Sequence, residues 1–434
     1  MKVGFSALQW MLFMVAGTIV APIAIADLFG LNPAEAAGLV QRTIFVLGIS
    51  SLLQGFFGHR LPINEGPAGL WWGVFAIYAG LSASLFSSAG ETLQALEGAM
   101  LVSGAVFILL SIFKLIDRLA LLFTPVVSGV YLLLLILQLS GSFFNGMLGI
   151  GYRKAGVDLP VFFFCLALVI AAFYLSKHRI KVVSQYSILI SLVGGWLLFS
   201  LFGLSKEVSL SEGSVVSMPE LFAFGPPKFD AGMTVTAVFV TLLLLTNMIA
   251  SIRVTDEVLK KEGAITPSPR FKASGFVSGV NQLLGGVFSA IGPVPISGSA
   301  GFIATTKITK LLPFMIGAAI ITAASFFPAL MSFFASLPAP VGYSVTFVVF
   351  ANMAGIAFGE LDKETETGRI RLVAGIALLA GVGAMFVPPE AFKGVSPLIT
   401  SFLNNGLIFG SVTAIAADQI TKRVYSRQSE ESRG

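Results

Sequence analysis

Runs of about twenty apolar residues recur along the whole chain, and each is long enough to cross a hydrocarbon core of about 30 Å as a helix. The pattern predicts fourteen spans, near 5–28, 37–57, 66–87, 98–116, 119–140, 158–176, 182–203, 232–252, 272–291, 293–306, 312–335, 339–358, 370–388 and 397–418. The third and tenth differ from the rest. Pro62, Gly66, Pro67 and Gly69 crowd one of them, and Gly292, Pro293, Pro295, Gly298 and Gly301 the other, so neither is an undisturbed helix. Close packing of small residues is one reading of such glycines. It does not explain why the interruptions fall at equivalent places in the two halves, and non-helical backbone at membrane depth is tolerated where it lines a cavity.

The equivalence is legible as a repeat. Leu52-Leu53-Gln54-Gly55-Phe56-Phe57 runs to Pro62, and Leu283-Leu284-Gly285-Gly286-Val287-Phe288 runs to Pro293. Gly66-Pro67-Ala68-Gly69 then matches Gly298-Ser299-Ala300-Gly301, and Thr124-Pro125-Val126 matches Ala339-Pro340-Val341. Seven spans in each half force the halves to be inverted, so the expected fold is an all-α polytopic membrane protein with a 7+7 inverted repeat. Two broken spans facing each other mark its substrate site.

Composition agrees: 56% of the residues are hydrophobic and 11% charged, against about 25% charged in soluble domains. A net charge of +5 would suggest nucleic acid in a soluble chain, but here the basic residues sort by side of the membrane. With a cytoplasmic N-terminus, only Arg42, Arg153, Lys154, Lys206, Lys228 and Lys393 of the 27 Lys and Arg fall outside. That asymmetry predicts a multi-pass inner or plasma membrane protein with both termini cytoplasmic and no nucleic-acid partner. Lys2, the following apolar run and Ala24-Ile25-Ala26 imitate a secretory signal, but the run is long and carries Gln9, Gly17 and Pro22. One cysteine, Cys165, and two histidines, His59 and His178, leave no disulfide framework and little for metal or Ser-His chemistry. No phosphate-cradling loop motif is present. The chain reads as a transporter without a cofactor rather than an enzyme, and a channel would need a filter-like motif that the sequence lacks.

Several stretches together resemble the xanthine/uracil permease family, the nucleobase–ascorbate transporters or nucleobase:cation symporter-2 family, and within it a divergent purine permease group. The carriers are Leu8-Gln9, Gly17-Thr18 and Pro22; His59-Arg60 with Glu65-Gly66-Pro67-Ala68-Gly69-Leu70-Trp71-Trp72-Gly73; Leu122-Phe123-Thr124-Pro125-Val126-Val127-Ser128-Gly129; Val254-Thr255 to Lys260-Lys261; and Leu337-Pro338-Ala339-Pro340-Val341. The resemblance covers nearly the full length. It implies a core domain (1–116 and 231–336), a gate domain (117–230 and 337–420) and a tail (421–434). It also implies short extended pieces in the third and tenth spans, with a nucleobase held between them and the eighth span, and symport with H+ or Na+ by alternating access. A homodimer is compatible with the sequence without being specified by it. The family's carboxylates in the eighth and tenth spans map onto Asn247 and Gly298, neither of which titrates.

Candidate site residues follow. Glu65 is the leading polar group, because an acid at membrane depth is costly unless paired or solvated. It could carry the coupling proton or accept a base N–H, or it could pair with Arg60 and only fix the loop. The Asn247 amide complements a donor–acceptor base edge, or makes an interhelical hydrogen bond. Ser251 lies on the same helical face. Ser297, Gly298 and Ser299 would present freed backbone N–H groups, while Gly17, Gly66, Ala68 and Gly69 complete the lining. Trp71 or Trp72 would stack on the base or belong to an interfacial belt. Asp256, Glu257, Lys260 and Lys261 read as a solvated loop. Asn281 and Gln282 have no role beyond hydrogen bonds between helices. The predicted cargo is a purine such as xanthine, urate, guanine or hypoxanthine. The competing reading is another small solute or an anion on the same fold.

Overall fold

Capping residues and prolines set where the helices of this chain begin. Asn32 accepts from the Glu35 N–H while Glu35 reaches back to the Asn32 N–H, and Pro33 occupies the first helical position. Ser88, Thr124 and Asp230 cap three further helices, each side chain accepting from the backbone N–H three residues on. The computed structural model describes residues 2–116, 118, 121–122, 124–205, 214–392, 395, 399, 403 and 406–431.

The helices in chain order are α1 (Lys2–Thr18), α2 (Val20–Leu28), α3 (Pro33–Phe56), α4 (Gly69–Leu85), α5 (Ala89–Ile112), α6 (Pro125–Met147), α7 (Leu159–Ser176), α8 (Lys181–Gln185), α9 (Ser187–Leu201), α10 (Ala231–Lys261), α11 (Phe271–Val287), α12 (Gly298–Thr306), α13 (Leu311–Ala324), α14 (Pro328–Ala335), α15 (Ala339–Leu361), α16 (Thr367–Met385) and α17 (Gly406–Glu431). Two three-residue strands, β1 (Glu65–Pro67) and β2 (Pro293–Pro295), interrupt them.

Among the described residues, eight helices are long and apolar enough to cross a membrane, or nine when one bent pair is taken as a span. That pair corrects the expected eleventh span: α13 and α14 meet at 93° instead of running straight through 312–335. Pro328 lacks the N–H that would continue the helix, and Ser325 closes α13 by donating from Oγ to the Thr322 carbonyl. The fifth span begins at Pro125 rather than 119, because Thr124 caps it. Much of 397–405 lies outside the described residues. Asp256 to Lys261 belong to the last turns of α10, not to a loop.

Helices of one group, α1, α3, α5, α10, α11, α13 and α14, pack mainly on one another, and so do α6, α7, α9, α15, α16 and α17. Within each group a central pair runs antiparallel at close approach. Gly104 of α5 lies on Gly279 of α11, where an added Cβ would come within 2.8 Å of the Gly279 carbonyl oxygen. Gly129 near the start of α6 faces Ala357 near the end of α15, and Gly146 at the other end of α6 lies under the Tyr343 ring. Segment 214–230 crosses the top of the first group, tied by Gln41 to Ser217, Gln94 to the Phe224 carbonyl and Lys228 to Glu91.

Candidate functional site

The two strands meet in the interior. β1 and β2 are antiparallel with Glu65 opposite Pro295, Gly66 opposite Val294 and Pro67 opposite Pro293. The ladder is extended by Ile296 N–H to the Asn64 carbonyl (3.0 Å) and Ala68 N–H to the Gly292 carbonyl (3.0 Å). Prolines at both ends limit what the strands can pair internally, so side chains from neighbouring helices complete the crossing. Ser251 of α10 donates to the Pro295 carbonyl at 2.8 Å. Gln282 of α11 donates to the Pro293 carbonyl at 2.6 Å and accepts from the Trp71 indole N–H at 2.7 Å. Ser299 accepts from the Asn64 N–H (3.1 Å) and donates to Asn64 Oδ1 (2.5 Å).

The crossing opens on one side. Ser297 and Gly298 at the start of α12 are exposed although β2 just before them is buried, and Gly17, beside the kink between α1 and α2, is exposed too. The kink follows from Pro22, which offers no N–H to the Thr18 carbonyl. Asn247, one turn before Ser251, is half-buried, and its amide has no hydrogen-bond partner among the described residues. Gly69 is half-buried against Leu135 and Phe350 of the second helix group. Gly66 is required by contact, since a Cβ there would sit 2.6 Å from the Ile296 side chain. Gly17, Gly69, Asn247, Ser297 and Gly298 therefore remain open or partly open, whereas Ala68, Ser251 and Ser299 are buried in the framework.

Glu65 is placed elsewhere. Neighbouring strand residues point to opposite faces, and while Gly66 faces Ile296, the Glu65 carboxyl is buried behind β1 with neither oxygen hydrogen-bonded. Its backbone N–H donates to Ser51 Oγ of α3 at 2.9 Å, and Asn281 of α11 flanks the carboxyl. Arg60 is turned outward, donating to the Phe56 carbonyl, so the expected alternative of a Glu65–Arg60 pair does not occur. Both tryptophans are buried: Trp71 packs on Gly292 and Gln282, Trp72 on the rings of Phe143 and Phe350. Neither offers an open ring face or sits in a belt.

Sequence reasoning missed Phe13. Its ring lies 3.8 Å from where a Gly298 Cβ would be and packs against Phe302 at 4.7 Å between centroids, so a half-buried aromatic stands beside the opening. The available signal was its place one turn before Gly17. Gln282 was seen as polar, but its double role rests on partners far apart in sequence. No group of three or more metal-ligating side chains occurs among the described residues. A cavity of about 400 Å³ between α1, α9 and α14 is lined by Val15, Ile19, Leu192, Trp196 and Phe333, with Ser200 as the one hydroxyl in an otherwise aliphatic and aromatic wall.

Comparison with known proteins bears on what this opening receives. The family model Xan_ur_permease, described as a permease family, matches residues 1–390. The chain is 50% identical over 422 residues to the Bacillus subtilis protein named "Putative purine permease YwdJ", covering 96% of each. It is 26% identical to the Bacillus subtilis "Xanthine permease", covering 97% of this chain and 93% of that one. Among solved structures, the transmembrane domain of a cyanobacterium bicarbonate transporter, BicA, superposes with a TM-score of 0.60 at 16% identity, covering 95% of this chain and 97% of that one, which is a likeness of fold.

Proposed function

The chain belongs to the Xan_ur_permease family of permeases, a multi-pass membrane protein that is a transporter and not an enzyme, and from that premise we propose that it imports a purine nucleobase by proton symport with alternating access. The observation that carries the substrate class is the full-length relation to proteins named purine and xanthine permeases. The opening suits that cargo. The Asn247 amide offers one donor and one acceptor to a base edge, the exposed start of α12 offers backbone N–H groups, and Phe13 offers a ring face.

On this reading the fourteen spans form a 7+7 inverted repeat broken at β1 and β2. Residues 1–116 and 231–336 form the core domain and residues 117–230 and 337–420 the gate domain. The antiparallel strand pair and the two self-packed helix groups support the division. The distribution of basic residues supports cytoplasmic termini in the plasma membrane. Asn247 and Gly298 leave the opening without a titratable group, so Glu65 is the proton carrier.

Purified protein in proteoliposomes should bind a labelled purine in competition with a panel of purines, pyrimidines and bicarbonate. Asn247→Ala should weaken that binding about tenfold, since a lost hydrogen bond in a dry site costs on the order of 1–3 kcal/mol. Displacement by bicarbonate with no response to any base would favour an anion as cargo, and unchanged affinity in Asn247→Ala would return that amide to a packing role.

A further inference from the structure

Four buried polar atoms on the closed side of the strand crossing lack partners: both Glu65 carboxyl oxygens and both Asn281 amide atoms. Their residues are 2% and 0% exposed, and they face one another between β1 and α11. An orphaned buried polar atom costs about 1–3 kcal/mol, and such groups are normally hydrogen-bonded. We infer that Glu65 and Asn281 form a closed carboxylic acid–amide pair that holds the coupling proton on the far side of β1 from the substrate, out of contact with it. The inference rests on the transport reading above and assigns its ion site a second residue and a location.

The stoichiometry of donors and acceptors points to a proton. A protonated carboxyl donates its O–H to the Asn281 carbonyl oxygen and accepts from the Asn281 NH2 through its own C=O, so all four atoms find partners in one ring of two hydrogen bonds. The ionised carboxylate only accepts. It can take the Asn281 N–H, but the Asn281 carbonyl oxygen then has no donor. A sodium ion would want more oxygens than two acidic oxygens and one amide provide. The protonated pair is therefore closed on itself, and losing the proton leaves a buried charge with one amide donor.

No other titratable group competes for this role from the elements packed around β1. His59 lies in the segment leading to β1 with Nδ1 held as acceptor of the Leu61 N–H, and Arg60 points outward. On α3, Arg42 lies at the far end beside Phe224 and Glu35 is exposed in the first turn. α1 carries only Lys2, α11 only Lys272 near its start, and β2 none. The link to the substrate is mechanical. Gly66, next to Glu65, packs on Ile296 at the threshold of the opening, and Gln282, next to Asn281, holds β2 and Trp71. A change in the Glu65–Asn281 spacing on deprotonation is thus passed to both strands without the proton meeting the base.

Infrared difference spectroscopy of the purified, substrate-free protein tests the pair without requiring transport. Parent minus Glu65→Gln should contain the C=O stretch of a protonated carboxylic acid that disappears as pH rises. In Asn281→Leu that band should move to higher frequency, because the C=O loses its hydrogen bond. Asn281→Thr, which keeps one hydroxyl, should give a smaller displacement in the same direction. A band indifferent to both Asn281 variants, or no protonated-acid band removed by Glu65→Gln at any pH, would overturn the assignment. Absence of nucleobase binding by the parent would instead overturn the transport reading and leave the spectroscopic result standing.

Discussion

Two acids are buried to the same degree in this molecule and treated in opposite ways. Asp418 of α17 is 0% exposed and fully engaged: it receives Arg369 of α16, Lys422 at 3.3 Å and the Thr124 hydroxyl at the start of α6 at 3.2 Å. Arg369 in turn holds Glu364 at 2.7 Å and Glu366 at 2.9 Å. Glu65, 2% exposed, faces one neutral amide and has no ionic partner. The first arrangement joins three helices of one packing group at one end. The second sits where the two strands cross. The difference teaches that burial of an acid alone marks neither structure nor function: a group whose partners are all present has one stable state, whereas a group whose partners fit only its protonated form has two.

The comparison breaks most sharply at Arg369. Arg369→Leu would strip Asp418 of its main counter-charge inside a packed end, and removing one member of a buried pair costs about 3–5 kcal/mol. Thermal unfolding in detergent should fall by many degrees. Glu65→Leu should lower the unfolding temperature by less, because the protonated acid leaves no uncompensated charge behind and only the buried Asn281 amide loses its partner, at about 1–3 kcal/mol. Equal losses in the two variants would mean that Glu65 is as structural as Asp418.

How much of this contrast could be read from the chain depends on how local each feature is. The apolar spans and the paired Gly/Pro interruptions are local patterns, and they led to Glu65. The match of Thr124-Pro125-Val126 with Ala339-Pro340-Val341 is also local, although what it encodes is helix starts. Arg369, by contrast, counted in the sequence only as one more cytoplasmic cation, because its partner Asp418 lies 49 residues away. The indole of Trp71 looked like a stacking or belt residue until Gln282, 211 residues on, was seen to hold it. The bend at Pro328 was hidden because the residues on both sides are apolar enough for one continuous span.

Glu65→Gln sharpens the comparison at an intermediate scale. The substituted amide reproduces the donor and acceptor of the protonated acid and can pair with Asn281, so folding and base exchange should survive. Net accumulation should not. At one proton per substrate, a pH step of one unit is about 1.4 kcal/mol and supports about tenfold accumulation, and a group that never releases its proton cannot draw on that gradient. Counterflow in proteoliposomes should persist while gradient-driven uptake falls to equilibration. Accumulation as strong as in the parent would place coupling elsewhere.

The smallest effect is expected at Thr124, where the structural acid touches a helix terminus. Its side-chain oxygen accepts from the Val127 N–H at 3.4 Å, capping α6, and its hydroxyl donates to Asp418. Thr124→Ala removes both, and loss of such a cap costs about 1 kcal/mol. Asp418 keeps Arg369 and Lys422, so its charge stays compensated and the loss should stop there. Thr124→Ser retains the oxygen in both roles and should unfold close to the parent temperature. If Thr124→Ser lost as much as Thr124→Ala, the methyl group packed at the start of α6 would carry the effect. If Thr124→Ala lost as much as Arg369→Leu, the hydroxyl rather than the guanidinium would be the main anchor of Asp418 in the interior, and the contrast with Glu65 would rest on a hydrogen bond instead of an ion pair.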